Sequence, residues 1–284
     1  GYQQFDLAIY DRIEVQRGPT GLLQGSGSFS GSVNMVRKRP TKDVAASLLG
    51  TAGSWNNYRS EADLSGSLAG GGRLRGRAVA SIIDRDFHYN RVHDRKWLGY
   101  GVLAYDLGAS TTVEVFAAAQ DDRTPGFSGL PTYTDGRFLP VSRSFNPYPT
   151  WNKTRWHTLD YGAEVQHNFA DSWQAVVKFY RRDQDLFFKD GYPTNGVTAA
   201  TNIVSNYARR EFDYDYAHES LDAYLTGSFG LWGRRHEVLI GTNTSWYTST
   251  GIGANPNQTP ALNVANVALA DPPAVAEPTV IPRT

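Results

Sequence analysis

The sequence predicts an all-β protein, a transmembrane antiparallel β-barrel of which this chain would hold about nine strands. Extended segments of alternating apolar and polar residues follow one another from Val44 onward, and a period of two marks strands with one apolar and one polar face. Several segments exceed the usual five or six residues of a globular strand. Short turns also alternate with long loops, which is typical of outer-membrane barrels.

The amino-acid composition argues against several other classes of protein. The 284 residues include 28 Lys plus Arg and 28 Asp plus Glu, so no global charge attracts nucleic acid, and we predict no nucleic-acid partner. The absence of cysteine excludes disulfides, thiolate metal sites and cysteine nucleophiles. No apolar run reaches the roughly 18 residues of a spanning helix, but a spanning strand needs only about 9–11 residues.

The first 42 residues are predicted to form a separate unit. "RIEVQRG" and "SVNMVRK" are predicted strands, and a glycine-rich stretch from Gly18 to Gly31 joins them. A dinucleotide fingerprint needs G-x-G-x-x-G before a helix, and a P-loop needs Lys-Ser or Lys-Thr after its last glycine. Position 30 is Ser, and Ser32 and Val33 follow Gly31. We therefore predict that these glycines permit tight packing rather than phosphate binding.

The strands that form the wall of the barrel are predicted from residue 43 onward, and each is bounded by turn or loop residues. In the fifth of them Val113 and Val115 share one face, while Glu114 and Gln120 lie on the other. The nine segments are "SLLGTAG", "YRSEADLSGSLAG", "RLRGRAVASIIDRDF", "RKWLGYGVLAYDLG", "TTVEVFAAAQDDR", "RWHTLDYGAEVQHNFA", "WQAVVKFYRRDQDLFF", "RREFDYDYAHESLDAYLTGSFG" and "HEVLIGTNTSWYTST".

Long extracellular loops are predicted at about 124–154, 189–208 and 251–284. Structureless connections of this length are uncommon in compact soluble domains. A soluble β-sandwich binding module is the alternative, but its strands would be shorter and its turns more even. Single-chain bacterial barrels close with an even strand number, and lipid cannot satisfy an open edge. We therefore expect a fragment that ends inside a loop.

The glycine-rich region carries a family resemblance. "DRIEVQRGPTGLLQGSGSFSGSVNMVRKRPT" resembles the C-terminal part of the plug domain of TonB-dependent outer-membrane ferric-siderophore receptors. Its "TGLL" form looks like the ferric coprogen and ferric pyoverdine receptors, and "GLPTYTDG" and "SFGLWGRRHEVLIGTN" are similar in order and spacing. The resemblance implies that residues 1–42 end an α+β plug domain and that 43–284 begin a barrel of 22 strands.

That resemblance implies TonB-dependent uptake of a ferric siderophore across the bacterial outer membrane. Plug apex and extracellular loops would bind the chelate, and TonB, acting through a segment upstream of this chain, would rearrange the plug. Iron would arrive inside the siderophore, so no enzyme activity, cofactor or protein metal site is predicted, and the six His residues lack metal-ligand spacing. Outer-membrane lipid is the other partner. A receptor of this fold for haem or another metal chelate and a passive porin are alternatives, but a porin would lack the plug.

The first long loop holds the candidate ligand contacts. Aromatic side chains supply rigid contact area at low entropic cost. The predicted siderophore-binding residues are Trp151, Tyr133, Phe127, Arg123 and Tyr148. Trp151 ranks first because, by the resemblance, related receptors carry a loop tryptophan there. Arg123 would meet an acidic group of the siderophore.

Further expectations concern the plug charges and the membrane interface. By the resemblance, Arg17 and Glu14 make polar contacts between plug and barrel wall, since buried charges must be paired. The cations Arg37–Arg39 are predicted to be solvated at the plug-to-barrel junction. Trp156, at a strand edge, is predicted to lie in the aromatic belt at the membrane interface.

Overall fold

The computed structural model describes residues 5–18, 31–126, 129–148, 151–170, 172–204, 207–254 and 262–263. Its main element is an antiparallel sheet of nine strands, in which successive wall strands are neighbours. A two-stranded hairpin precedes this sheet, and a three-stranded unit lies in the loops. The strands are β1 Tyr10–Arg17, β2 Gly31–Arg37, β3 Ala45–Gly53, β4 Asn57–Ala69, β5 Leu74–Asp86, β6 His93–Asp106, β7 Thr111–Arg123, β8 Lys153–Ala170, β9 Trp173–Pro193, β10 Val197–Thr198, β11 Ile203–Val204, β12 Tyr207–Leu231, β13 Arg234–Ala254 and β14 Leu262–Asn263.

The plug hairpin consists of the two strands predicted on either side of the glycine-rich stretch. β1 and β2 pair antiparallel, with Ile13 opposite Met35 and Val15 opposite Val33, so both predicted strands are confirmed. A 3-10 turn at Leu7–Ile9 precedes β1. Residues 19–30 lie outside the described part, and the packing role of their glycines stays a prediction.

The nine-stranded sheet has two chemically different faces. Along β6, from His93 to Asp106, exposed and buried residues alternate almost without exception, as the pleat of a strand requires. We call the face against which residues 5–10 and 37–41 pack the inner face, and the opposite one the outer face. Glu114 and Gln120 lie on the inner face, with Val115 on the outer one. The predicted period of two is confirmed.

The outer face exposes large apolar side chains over the middle of the strands. They are Leu48, Leu64, Leu68, Ile82, Trp97, Leu103, Tyr105, Val115, Leu159, Val165, Val177, Phe179 and Leu221. An apolar surface that spans so many strands exceeds what soluble monomers expose. In a β-sandwich a second sheet would cover one such face, whereas lipid suits an uncovered one. The structure therefore supports a membrane wall.

The described residues include no helix that is both long and apolar enough to cross a bilayer.

Short and long connections lie at opposite ends of the wall. At one end, the turn end, tight turns join β4 to β5, β6 to β7, β8 to β9 and β12 to β13. The last is a two-residue hairpin in which Trp232 and Gly233 have φ of 52° and 72°, the left-handed conformation that such turns require. At the opposite end, the loop end, 124–152 joins β7 to β8 and 194–206 joins β9 to β12. The predicted asymmetry is confirmed.

Strands β9, β12 and β13 extend further toward the loop end than the sequence predicted. The loop predicted at 189–208 is shorter, because β9 continues to Pro193, which pairs with Tyr207. Gly191 and Pro193 resemble turn formers in the sequence, but the Gly191 N–H is held by Asn152 Oδ1 at 2.9 Å. β13 likewise reaches Ala254, beyond the predicted loop start at 251. The domain division at residue 42 stays a prediction.

Candidate ligand-binding site

A buried carboxylate attaches the segment before β1 to the wall. The Arg59 guanidinium donates from Nη1 and Nη2 to the two oxygens of Asp6, each at 2.8 Å. Ser81 Oγ donates to Asp6 at 3.0 Å, and the Asp6 N–H donates to Gln120 Oε1 at 3.1 Å. The Asp6 side chain is 1% exposed. Bidentate pairs of this kind are strong and geometrically specific, so Asp6 fixes the segment against β4, β5 and β7.

The attachment is expected to weaken in acid. Burial alone would raise the pKa of Asp6, but hydrogen bonds from Arg59, the Ala8 N–H and Ser81 outweigh it and hold the pKa below its ordinary 3.8. A carboxylate whose folded pKa is lowered contributes stability that is present above its unfolded pKa and lost as the pH falls through the folded pKa. Hydrogen exchange of residues 5–18, corrected for intrinsic rates, should therefore accelerate only below about pH 4.

Asp6→Asn provides the control for this pH dependence. Glu61, which also contacts Arg59 at 2.8 Å, faces the same group and remains in the variant. The variant should exchange faster at neutral pH and show a smaller additional change in acid. Equal acid sensitivity in parent and variant would assign the effect to another group.

The junction cations are paired with wall acids. The prediction that Arg37–Arg39 are solvated is therefore wrong for Arg37 and Lys38, whereas Arg39 is paired but its side chain is 52% exposed. Lys38 Nζ lies 2.9 Å from Asp63 Oδ2. Arg39 Nη2 donates to both oxygens of Glu164, at 2.9 and 3.0 Å. The two partners lie 25 and 125 residues further along the chain, which is why local sequence did not indicate them.

Arg37 is held between aromatic rings on the inner face. Its guanidinium carbon lies 4.3 Å from the ring centre of Phe116 and 4.9 Å from that of Tyr180, distances that suit cation–π attraction. Arg37 Nη2 lies 3.8 Å from Asp160 Oδ2. The Asp160 carboxylate also accepts hydrogen bonds from Arg182 Nε and Nη2 at 2.7 and 2.8 Å. The end of the hairpin is therefore anchored on β7, β8 and β9 as well.

The two predicted plug contacts, Arg17 and Glu14, lie on the hairpin itself. Glu14 accepts hydrogen bonds from Arg12 Nε at 2.7 Å and Asn34 Nδ2 at 2.8 Å. Arg17 is exposed at the end of β1, opposite Gly31. Among the residues that the structure describes, no ion pair joins either side chain to the wall. Their contact with the barrel stays a prediction.

Toward the loop end, the inner face carries a connected set of aromatic rings, which we call the aromatic column. On β12 the Phe212 and Tyr214 centroids lie 5.5 Å apart, and those of Tyr214 and Tyr216 lie 5.8 Å apart, with nearly parallel planes. Rings from three neighbouring strands join them at 4.9 to 6.5 Å. The members are Trp156, Phe188, Phe212, Tyr214, Tyr216 and Tyr247.

A cation lies at the upper end of the column. The Arg210 guanidinium carbon is 5.5 Å from the ring centre of Phe188 and 4.3 Å from that of Tyr192. Its Nε and Nη2 donate to Asp190 at 2.9 and 2.6 Å. The column and Arg210 together present flat ring faces and donor groups in the space above the plug segment. This arrangement can stack planar groups and bind acceptors.

The sequence carries a signal for the column, although none of its members was a predicted ligand contact. In "FDYDYAH" every second residue from Phe212 to His218 is aromatic or imidazole, and the residues between are Asp213, Asp215 and Ala217. On a strand, this period of two puts all rings on one face and both acids on the other.

Trp156 belongs to the column and not to a belt at the membrane interface, so that prediction is wrong. It occupies the same face of β8 as Asp160, which binds the inward-facing Arg182, and its ring stacks on Tyr216 at 6.5 Å. Residues two or four apart on a strand share a face. The strand edge alone could not reveal which face this was.

The two long loops fold on each other above the column. Val197 and Val204 are fully buried, and Tyr133, Leu139 and Phe145 pack against them. Backbone hydrogen bonds join Val197 to residues 132 and 134 at 2.8 and 3.0 Å. β11 pairs with both β10 and β14. The loops thus form a cap with its own small core.

The predicted loop contacts have different surroundings in this cap. Tyr133 packs on the cap core, with its hydroxyl 3.4 Å from Asn202 Oδ1. Tyr148 is 5% exposed and its hydroxyl donates to the Gly129 carbonyl at 2.7 Å, which gives it a packing role. Trp151, directly before β8, is half-buried, and its Nε1 is enclosed without an acceptor among the described residues.

The other two candidates are Phe127 and Arg123. Phe127 is outside the described residues. Arg123 is on the outer face, where its Nε donates to Asp121 at 2.6 Å. This placement turns Arg123 away from the inner face and does not support its predicted contact with a siderophore acid. Within the described residues, no group of three or more His, Asp or Glu could hold a metal ion.

Comparison with known proteins gives consistent relatives. Over 245 residues the chain is 38% identical to the ferric-pyoverdine M114 receptor PbuA of Pseudomonas sp. strain M114, a match that covers 84% of the chain and 29% of that receptor. It is 37% identical over 245 residues to the ferripyoverdine receptor of Pseudomonas aeruginosa, covering 85% of the chain and 30% of that receptor. The chain thus spans about 30% of the length of these curated relatives. No protein-family profile matches it.

The fold agrees with the same relatives. The crystal structure of the P. aeruginosa outer-membrane ferripyoverdine receptor bound to ferripyoverdine aligns with a TM-score of 0.83 at 35% identity, covering 91% of this chain and 35% of that one. The structure is therefore a partial barrel wall preceded by part of a plug.

Proposed function

The chain belongs to the ferric-pyoverdine receptor family of TonB-dependent outer-membrane proteins, and from this we propose that the full-length protein imports a ferric siderophore of the pyoverdine class. The iron is held by the siderophore, so the protein contributes no metal ligand and no enzymatic chemistry. TonB acts through a segment upstream of this chain. A haem cargo, a passive pore and a soluble module are not needed to explain any observation.

The aromatic column is the observation that carries this proposal. It lies on the inner face, between the anchored plug segment and the loop cap, where a chelate entering from outside must pass. Tyr180, which lies on the same face of β9 as Phe188, contacts both Arg37 of the plug and Phe116 of the wall, so aromatic rings on the inner face also reach the plug. Ring faces give contact area without long flexible side chains, and Arg210 adds a cation at the entrance.

Trp151 is proposed as the contact at the rim. Its half-buried ring lies where the cap meets β8, and its enclosed Nε1 donor needs an acceptor, since an unsatisfied buried donor is costly. An acceptor group on the chelate would supply it after displacing the side chains that now cover the Nε1 atom. Tyr133, with Arg137 5.6 Å from its ring centre, packs on the core of the cap. Tyr148 supports the loop from within.

Trp151→Ala is expected to weaken ferric-pyoverdine binding about tenfold, because it removes both ring and donor. Trp151→Phe should show a smaller loss, since it removes only the donor. Titration of the purified full-length receptor measures both. Trp232→Ala, at the turn end and 88% exposed, is the control and should bind normally. A Trp151→Ala receptor that binds as tightly as the parent would remove Trp151 from the site.

Uptake of iron-labelled siderophore tests the proposed function. The full-length gene would be expressed in a strain without its own pyoverdine receptors and supplied with a panel of ferric pyoverdines, a ferric hydroxamate and haem. We expect accumulation with at least one ferric pyoverdine, and its loss when TonB is deleted. Accumulation with haem alone, or uptake that persists without TonB, would contradict the proposal.

A further inference from the structure

Three arginines occupy one cross-strand row on the outer face. Arg95 of β6 lies directly opposite Arg123 of β7, and Arg123 lies directly opposite Arg155 of β8. All three are exposed at the loop end of the wall. The row faces away from the plug and from the aromatic column, so the proposed import path does not use it.

The three guanidinium groups outnumber the carboxylates that pair with them among the described residues. Like charges directly opposite each other on neighbouring strands are destabilising. A single carboxylate, Asp121, accepts from Arg123 Nε at 2.6 Å and from Arg155 Nε at 2.9 Å. Arg95 forms no ion pair with any described residue, because Asp84, opposite it, lies 3.4 Å from His93 Nε2. The arrangement leaves a site for a multivalent anion.

Geometry also indicates what kind of anion fits. Asp121 accepts from the Nε atoms of Arg123 and Arg155. Within the described part of the chain the Nη1 and Nη2 donors of both guanidinium groups make no other hydrogen bond, so they are available to a ligand. Guanidinium donors in this fork geometry suit phosphate oxygens, which they bind in pairs. The strands lie about 4.8 Å apart, so a row of three spans the width of a phosphorylated sugar headgroup.

The row lies at the border of the apolar band. Two residues closer to the turn end along β5 and β6, Ile82 lies opposite Trp97 on the outer face, and both side chains are exposed. Tryptophan is enriched at the level of lipid headgroups. Beyond β8 the charge reverses, since Asp185 and Asp213 occupy the outer face of β9 and β12. A lipid phosphate is thus attracted to β6–β8 and repelled from β9–β12.

We propose that Arg95, Arg123 and Arg155 bind the phosphates of an outer-leaflet glycolipid of the lipid A type. This proposal rests on the outer-membrane location in the proposed function. It uses none of the residues to which the proposed function gives a siderophore contact, since Arg123, a contact predicted from the sequence, lies on the outer face. The bound lipid would neutralise the row and fix the height of this part of the wall in the membrane.

The test uses the purified, delipidated full-length receptor. It would be incubated with bis-phosphorylated lipid A, with dephosphorylated lipid A, or with inorganic phosphate, and the retained ligand measured by native mass spectrometry. The variant is the triple Arg95→Gln/Arg123→Gln/Arg155→Gln. Arg181→Gln is the matched control, because Arg181 also lies on the outer face but is paired with Asp183 and Glu219.

We expect the parent and Arg181→Gln to retain bis-phosphorylated lipid A, and the triple variant to lose retention at least fivefold. Dephosphorylated lipid should be retained weakly by all three. Equal retention by the triple variant, or retention independent of the phosphates, would overturn the proposal. Binding of inorganic phosphate as tightly as the lipid would instead identify a free-anion site. Normal ferric-pyoverdine binding by the triple variant confirms folding and keeps this test separate from that of import.

Discussion

Replacing Arg59 with methionine is expected to release residues 5–18 from the wall. The change leaves the Asp6 carboxylate, whose side chain is 1% exposed, buried without its cation. Removing one partner of a buried ion pair typically costs about 3–5 kcal/mol. At the lower bound, local opening of this segment becomes about 100-fold more frequent, since about 1.4 kcal/mol is a factor of ten. Hydrogen exchange of residues 5–18 in the full-length receptor measures this opening.

Arg75→Met is the matched control for that experiment. Arg75 binds Asp106 in the same bidentate way, with both distances at 2.8 Å, but the pair joins β5 to β6 and does not contact the plug. We expect hydrogen exchange of residues 5–18 in the Arg75→Met receptor to match that of the parent receptor. If both variants accelerated exchange equally, general destabilisation of the wall would explain the result, and Asp6 would not be the anchor.

Replacing Tyr216 with alanine is expected to weaken binding of ferric pyoverdine at least tenfold. Tyr216 contacts Tyr214, Trp156 and Tyr247, so its loss interrupts the column at its most connected ring. Aromatic pairs contribute about 0.5–1.5 kcal/mol each beyond the area they bury, and about 1.4 kcal/mol corresponds to a factor of ten in affinity. Titration of the full-length receptor gives the dissociation constant.

Phe179→Ala provides the comparison for the column. Phe179 lies on the outer face of β9 and is 39% exposed, so it faces lipid rather than the import path. Binding should be unchanged in this variant. Equal losses in Tyr216→Ala and Phe179→Ala would point to wall stability, and undiminished binding by Tyr216→Ala would show that the chelate does not use the column.

The wall was predictable because its information is local. Alternation such as Val113 and Val115 against Glu114 specifies a strand and its faces without reference to distant residues. The ends of the strands were harder to predict from the sequence. Gly191 and Pro193 favour a turn locally, yet pairing with β12 and the Asn152 side chain keeps them in β9.

The candidate site was only partly predictable, because much of it is non-local. The resemblance indicated a loop rich in aromatic residues, and the structure places Trp151 and Tyr133 in the cap. The face of β8 on which Trp156 lies depends on how β8 pairs with β7 and β9. That register could not be predicted from the sequence. The partners of Lys38 and Arg39 are fixed by docking against strands that come later in the chain. The period of two in "FDYDYAH" was readable, and would have located the column.

The plug anchors have a consequence for biogenesis. Asp6, Lys38 and Arg39 all bind wall residues between Arg59 and Glu164, which belong to the strands made directly after the plug. Each of those strands pairs with the next in order. The plug segment can therefore begin to dock on a still open, growing sheet once β8 is in place, and Tyr180 of β9 then adds its contact with Arg37. It need not be threaded past a completed wall, because β12 and β13 can be added after the plug segment is seated.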